Sequence, residues 1–130
     1  MSEDNKSNEN GALRFDTGKP QLSLISPVAM VGLAKILTFG AKKYAANNWR
    51  KGMAWSRCID SLKRHLAAFE AGIDLDYDES CKGCIAKTCK NHTGLHHIDQ
   101  VLCNAMFLSE YARTHKELDD RYKVDPEHLK

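Results

Sequence analysis

Three thiols and an imidazole crowd one short stretch of this chain: Cys81, Cys84, Cys89 and His92, spaced C-x2-C-x4-C-x2-H. Ligands two residues apart can reach one ion from a single tight turn, and Gly83 supplies that turn. Three thiolates and an imidazole match a closed tetrahedral zinc site, which leaves no open position and so serves structure rather than turnover. The competing reading is a loop with unrelated cysteines. Lys82, Lys87 and Lys90 give the stretch some likeness to a zinc knuckle, but it holds no aromatic residue to stack on a base. Cys58 and Cys103 stand apart, inside helical patterns, as small hydrophobes.

An acidic run, Asp74-x-Asp76-x-Asp78-Glu79, comes just before the cysteines. It opens like a calcium loop, but the sixth position is Glu79 instead of glycine and the twelfth is Ile85, so the match fails. Alternating carboxylates can still hold a hard ion such as magnesium; the other reading is a solvated acidic turn. His65 lies upstream of this run, and His97, Gln100, Asn104 and Tyr111 follow it at offsets of three and four. Polar groups beside an apolar stripe must be hydrogen-bonded or ligating, because burying them unpaired is costly. Each alone reads as a satisfied core contact; with the acidic run between them they could converge on one polar pocket. Lys42, Lys43, Trp49, Arg50 and Lys51 form a second group, suited to phosphate pairing and base stacking or to a snorkelling helix end. No His-Asp dipeptide is present, so HD-type phosphohydrolase chemistry lacks its central pair, and no Walker-type glycine loop exists.

Helices must position these groups. Ser26-Pro27 is a helix start, a hydroxyl cap followed by proline at the first helical position. A first helix is predicted from Pro27 to about Ala46, with Val31, Ala34, Leu37, Ala41 and Tyr44 on one stripe. Gly40 within it suggests close approach of a backbone or ligand. Asn47 and Asn48 end this helix, and NNWRKG is read as a turn exposing Trp49, Arg50 and Lys51. A second helix is predicted from about Ala54 to Ala71, with Trp55, Ile59, Leu62, Leu66 and Phe69 inward and His65 at the edge. A third, from about His96 to His115, has Ile98, Val101, Leu102, Ala105 and Ala112 as its stripe, with His97, Gln100, Asn104 and Tyr111 beside it. No repeat and no convincing strand appear. The fold class is therefore all-α, a small helical bundle with a zinc-binding loop (81–93) inserted between two core helices. Residues 1–10 form a polar arm expected to be disordered, 11–116 the helical domain, and 117–130 a charged tail expected to fray.

The whole chain bounds the answer further. Its 130 residues, 42% hydrophobic and 28% charged, suit one soluble domain, and a formal charge of +2 makes no case for nucleic acid. No apolar run approaches the roughly 20 residues of a membrane span, and the polar start MSEDNKSNEN does not read as a secretory signal. A cytoplasmic setting is expected, where cysteines more often bind metal than pair.

In combination these segments resemble the phage-type dATP/dGTP diphosphohydrolases, grouped near the MazG-like all-α nucleoside triphosphate pyrophosphohydrolases. The carrying motifs are RFDTGKPQLSL (Arg14 to Leu24), LTFGAKKYAANNWRKG (Leu37 to Gly52), SLKRHLAAF (Ser61 to Phe69), Glu79-Ser80, and GLHHIDQVLCNAMFL (Gly94 to Leu108). The resemblance implies an enzyme that hydrolyses a purine deoxynucleoside triphosphate, dGTP or dATP, to the monophosphate and pyrophosphate in phage nucleotide metabolism. It also implies dependence on magnesium or manganese and a homo-oligomer. Catalytic positions carried over are His65, Asp76, Glu79, His97 and Asn104, with Asp76, Glu79 and His97 as ligands of the magnesium or manganese. Lys43, Tyr44, Trp49, Lys51 and Arg64 would bind nucleotide. Three departures stand out. The E-x-x-E of MazG proteins is absent, and the only E-x-x-D is Glu117 to Asp120 in the tail. Gln100 stands where many relatives have histidine. Residues 81 to 93 read as an insertion. The alternative function is a non-catalytic, zinc-containing nucleotide- or nucleic-acid-binding protein.

Overall fold

The computed structural model describes residues 11–76 and 93–130. Among them are three α-helices, α1 (Pro27–Lys43), α2 (Trp55–Glu70) and α3 (His97–Thr114), with short 3-10 turns between and after them. No strand is present among the described residues, only an isolated antiparallel bridge between Leu75 and His96. The all-α expectation holds; the proposed zinc ligands and the rest of residues 81–92 lie outside the described residues, as do the N-terminal ten.

α1 begins as the sequence predicts. The Ser26 hydroxyl accepts a hydrogen bond from the Ala29 amide at 3.1 Å, and Pro27 opens the first turn. The helix ends three residues earlier than expected, at Lys43, because Asn47 takes a left-handed backbone (φ 64°) that starts a separate 3-10 turn over Asn48–Lys51. Gly40 has open space around it, so no close approach explains it. The close approach falls at Gly32 instead, where a Cβ would meet the carboxylate of Asp99 on α3. α1 thereby reaches α3.

α2 and α3 pack antiparallel along a seam that starts at His65–His97 and runs to Trp55–His115. Between these ends, the Asn104 side-chain amide donates to the Ser61 hydroxyl at 3.1 Å, and the Trp55 indole N–H donates to the His115 carbonyl at 3.1 Å. On α3 the seam residues His97, Gln100, Asn104, Phe107 and Tyr111 recur at three and four, the spacing that keeps one face against a neighbouring helix. This corrects the predicted stripe. Ile98 and Leu102 are 38% and 39% exposed, while His97, Gln100, Cys103 and Tyr111 are buried. The polar line faces inward because its members satisfy one another: Asn104 also donates to the Gln100 carbonyl at 2.9 Å, and the Tyr111 hydroxyl donates to the Trp49 carbonyl at 2.5 Å. Leu66 and Phe69 of α2 are likewise exposed rather than inward.

The far end of the seam is apolar. Trp55, Cys58 and Tyr111 are buried there, with Trp49, Met53, Phe107, Leu108 and Leu118 packed against them. Trp49 stacks on Phe107 with ring centroids 4.7 Å apart, so it is a half-buried packing residue, not the exposed side chain expected of the NNWRKG turn. The start of the tail reaches back to α2. Asp120 accepts from the Ser56 amide at 2.9 Å and from the Ser56 hydroxyl at 2.5 Å, capping α2, whose own N-cap Ala54 makes no side-chain cap bond.

Candidate metal centre at the α2–α3 junction

α2 ends at Glu70, and Gly72 (φ 90°) turns the chain toward α3. Residues 74–76 then run alongside 94–97: the Asp76 amide donates to the Leu95 carbonyl at 2.8 Å, Gly94 to the Asp76 carbonyl at 2.9 Å, and His97 to the Asp74 carbonyl at 2.8 Å. The last of these satisfies one of the amides that a helix start leaves without an intrahelical partner. The pairing also fixes the direction of the side chains. Leu75 and His96 border an open groove of about 670 Å³ beside α1, lined also by Val28, Val31, Lys35 and Asp99. Their chain neighbours Asp76 and His97 enter a different cluster.

That cluster is His65, Asp76 and His97, each offering one ligand atom, with these atoms all within 4.8 Å of one another. The two Nδ1 atoms of His65 and His97 are 2.8 Å apart and the ring centroids 5.0 Å. His97 is buried; His65 and Asp76 are half-buried. Asp76 is held firmly: its Oδ2 accepts from Gln100 Nε2 at 2.8 Å, from the Thr93 hydroxyl at 3.0 Å and from the Thr93 amide at 3.3 Å. Gln100 Nε2 also donates to the Thr93 hydroxyl at 2.8 Å. Burial alone would raise the Asp76 carboxyl, but the bonds from Gln100 and Thr93 outweigh it and hold the group below the usual carboxylate range. Burial pushes the His65 imidazole below its usual value; Asp76 opposes this, while His97 and Arg64 reinforce it. The result is an ionised carboxylate beside an imidazole kept neutral, the states in which both can ligate a cation. Two imidazoles and a carboxylate within this span fit a single divalent ion, since metal–nitrogen bonds of about 2.0–2.1 Å bring cis ligands roughly 3 Å apart.

Of the residues singled out in the sequence, His65, Asp76 and His97 are thus brought together. Asn104 lies two turns along α3, bonded to Ser61 and to Gln100's carbonyl. Arg64 is exposed, adjacent in sequence to His65. Lys43 and Tyr44 are exposed at the end of α1, with the Lys43 ammonium 5.3 Å from the Tyr44 ring. Lys51 is exposed; Trp49 meets α3 at Phe107 and Tyr111, roughly 15–20 Å along the helix axis from His97. Trp49 and the His65–Asp76–His97 group therefore occupy opposite ends of the seam. Glu79, Cys81, Cys84, Cys89 and His92 lie outside the described residues. Sequence reading missed Thr93, counted within the loop, and placed Gln100 in a polar pocket with no specific task; its place three residues after His97, on the same face, was the available signal.

The fold and cluster define an all-helical protein with a two-histidine, one-carboxylate centre where two antiparallel helices meet. The model of the family described as "dATP/dGTP diphosphohydrolase, N-terminal" matches residues 9–121, and the chain belongs to that family. A protein of Salmonella phage PMBT28 named dATP/dGTP diphosphohydrolase is 32% identical over 109 residues, which cover 84% of this chain and 32% of the relative. The chain thus spans about a third of that relative's length. No solved structure matches. No helix among the described residues is long and apolar enough to cross a membrane.

Proposed function

We propose that this protein hydrolyses a purine deoxynucleoside triphosphate, dGTP or dATP, to the monophosphate and pyrophosphate in phage nucleotide metabolism. The observation that carries the reading is the convergence of His65, Asp76 and His97 at one junction, in a chain whose family and phage relative bear the name of that activity. These three residues would hold a divalent cation. Such an ion supplies charge neutralisation for the triphosphate and lowers the pKa of a bound water. The remaining work falls to the chain itself. Gln100 and Thr93 fix the Asp76 carboxylate in place. Arg64, exposed beside His65 in the sequence, offers a guanidinium to phosphate oxygens.

The test is incubation of the purified protein with dGTP, dATP, GTP and pyrimidine triphosphates in the presence of divalent metal, with products separated by ion exchange. Monophosphate plus pyrophosphate from a purine substrate is the expected result. Nucleoside plus triphosphate would point to a different chemistry. No turnover by folded protein would turn the reading to a nucleotide-binding protein. We also propose a structural zinc ion at Cys81, Cys84, Cys89 and His92, for which the support is ligand type and spacing. Elemental analysis is expected to find bound zinc, with one equivalent lost in Cys84→Ser.

Self-association belongs to the same proposal. Its support is the exposed apolar side chains: Val28 is 84% exposed, Leu24 80%, and Ile98 and Leu102 also face outward. Apolar surface of this extent on a small domain favours a second copy as cover.

A further inference from the structure

The centre at the α2–α3 junction carries a choice of metal as well as a place for one. Magnesium prefers oxygen ligands and sheds its waters reluctantly, so protein sites for it are usually carboxylates with few other donors. Imidazole nitrogen instead suits iron, cobalt, nickel and zinc, and two histidines with one carboxylate is a recurring set for such ions with coordination positions left open. The described donors here are two imidazoles and one carboxylate. Both histidines present the same atom, Nδ1, and the separation of 2.8 Å is close to that of two cis ligands on one ion, roughly 3 Å. A hydrogen bond shared between the two rings also gives this distance. It does not explain why a carboxylate, fixed by three donors from Gln100 and Thr93, is placed within reach of both rings.

We propose that His65, His97 and Asp76 form a three-ligand site selective for a borderline first-row divalent ion of the iron, cobalt and zinc class over magnesium, with Gln100 and Thr93 positioning the carboxylate. This rests on the hydrolase reading for its purpose but not for its test. It replaces the magnesium or manganese implied by the family resemblance with an ion chosen by nitrogen donors. Positioning by Gln100 matters because a ligand held by an outer partner loses less freedom on binding metal.

Cobalt(II) is a suitable probe, because thiolate ligation at the cysteine cluster adds charge-transfer absorption that imidazole and carboxylate ligation lacks. Titration of the full chain is expected to show one equivalent of cobalt with visible d–d bands free of thiolate charge transfer. That signal should survive a roughly hundredfold excess of magnesium and vanish in His65→Ala and His97→Ala. A second measurement needs no variant: in the wild type, zinc should shift the ring resonances of His65 and His97, and magnesium should leave them in place. Magnesium displacing cobalt at comparable concentration, or ring resonances indifferent to zinc, would overturn the proposal. Turnover with magnesium by a protein whose two rings ignore every metal would sink this inference while sparing the hydrolase reading. Selective cobalt binding without turnover would do the reverse.

Discussion

Gln100 shows how much one side chain can decide. Its amide stands between Asp76 and Thr93, and its carbonyl oxygen in the backbone receives Asn104. Replacing it with alanine removes a hydrogen bond to a charged group and leaves Asp76 with Thr93 alone among these holders. Losses of outer partners of this kind cost roughly 10–100-fold in metal affinity or activity. Gln100→Ala is therefore expected to weaken cobalt binding and kcat/KM by about that factor while circular dichroism stays unchanged. Unchanged affinity would mean that Thr93 suffices. A histidine at position 100 would bring a third imidazole to the same end of α3. The glutamine here keeps the nitrogen count at two.

The elements are joined by contacts that no local pattern announces. Gly52 has φ 93° and ψ 151°, a region essentially reserved for glycine, and a Cβ there would also meet His115 and Leu118 at 2.6 and 2.7 Å. Gly52→Ala is expected to destabilise the fold by about 1–3 kcal/mol from backbone strain, measured by urea denaturation. Asp120 gives a pH signature. The bonds from Ser56 hold its carboxyl below the usual carboxylate range, so the folded state favours the ionised form. That contribution is complete above the unfolded value and is lost as pH falls through the lower folded one. In Asp120→Asn the acid-side decline in melting temperature should be shallower than in the wild type; an identical slope would remove the cap from the account. The existence of all three helices was legible from spacing and from the Ser26–Pro27 start. Their inward faces were not. His97, Gln100 and Asn104 form a buried seam from polar residues, so hydrophobicity pointed Ile98 and Leu102 the wrong way. Trp49–Tyr111 and Ser56–Asp120 join residues 62 and 64 apart, beyond the reach of any local signal. Within the site, residue types set His65 and His97 beside the acidic run and the family resemblance singled out Asp76 within it, whereas Thr93 needed the chain to fold back on itself.

At the scale of the molecule, four hydrophobic residues are buried among those described, and large apolar side chains on α1, α2 and α3 face outward. A second copy covering them predicts a dimer or larger species by sedimentation velocity at micromolar concentration. Leu102→Lys, on the outward face and away from the metal centre, should shift the population toward monomer without moving the cobalt spectrum. A wild-type monomer at all concentrations would leave those faces to a different partner.

The pairing of 74–76 with 94–97 separates the length of the intervening segment from the geometry of the site. Closing a loop costs only about 0.6 kcal/mol more for each doubling of its length. Once Asp76 and Gly94 are bonded across the gap, residues can be gained or lost between positions 77 and 92 with little effect on where His65, Asp76 and His97 stand. Evolution can therefore rewrite that interval, adding a metal clip or deleting it, as a cassette on a fixed mount.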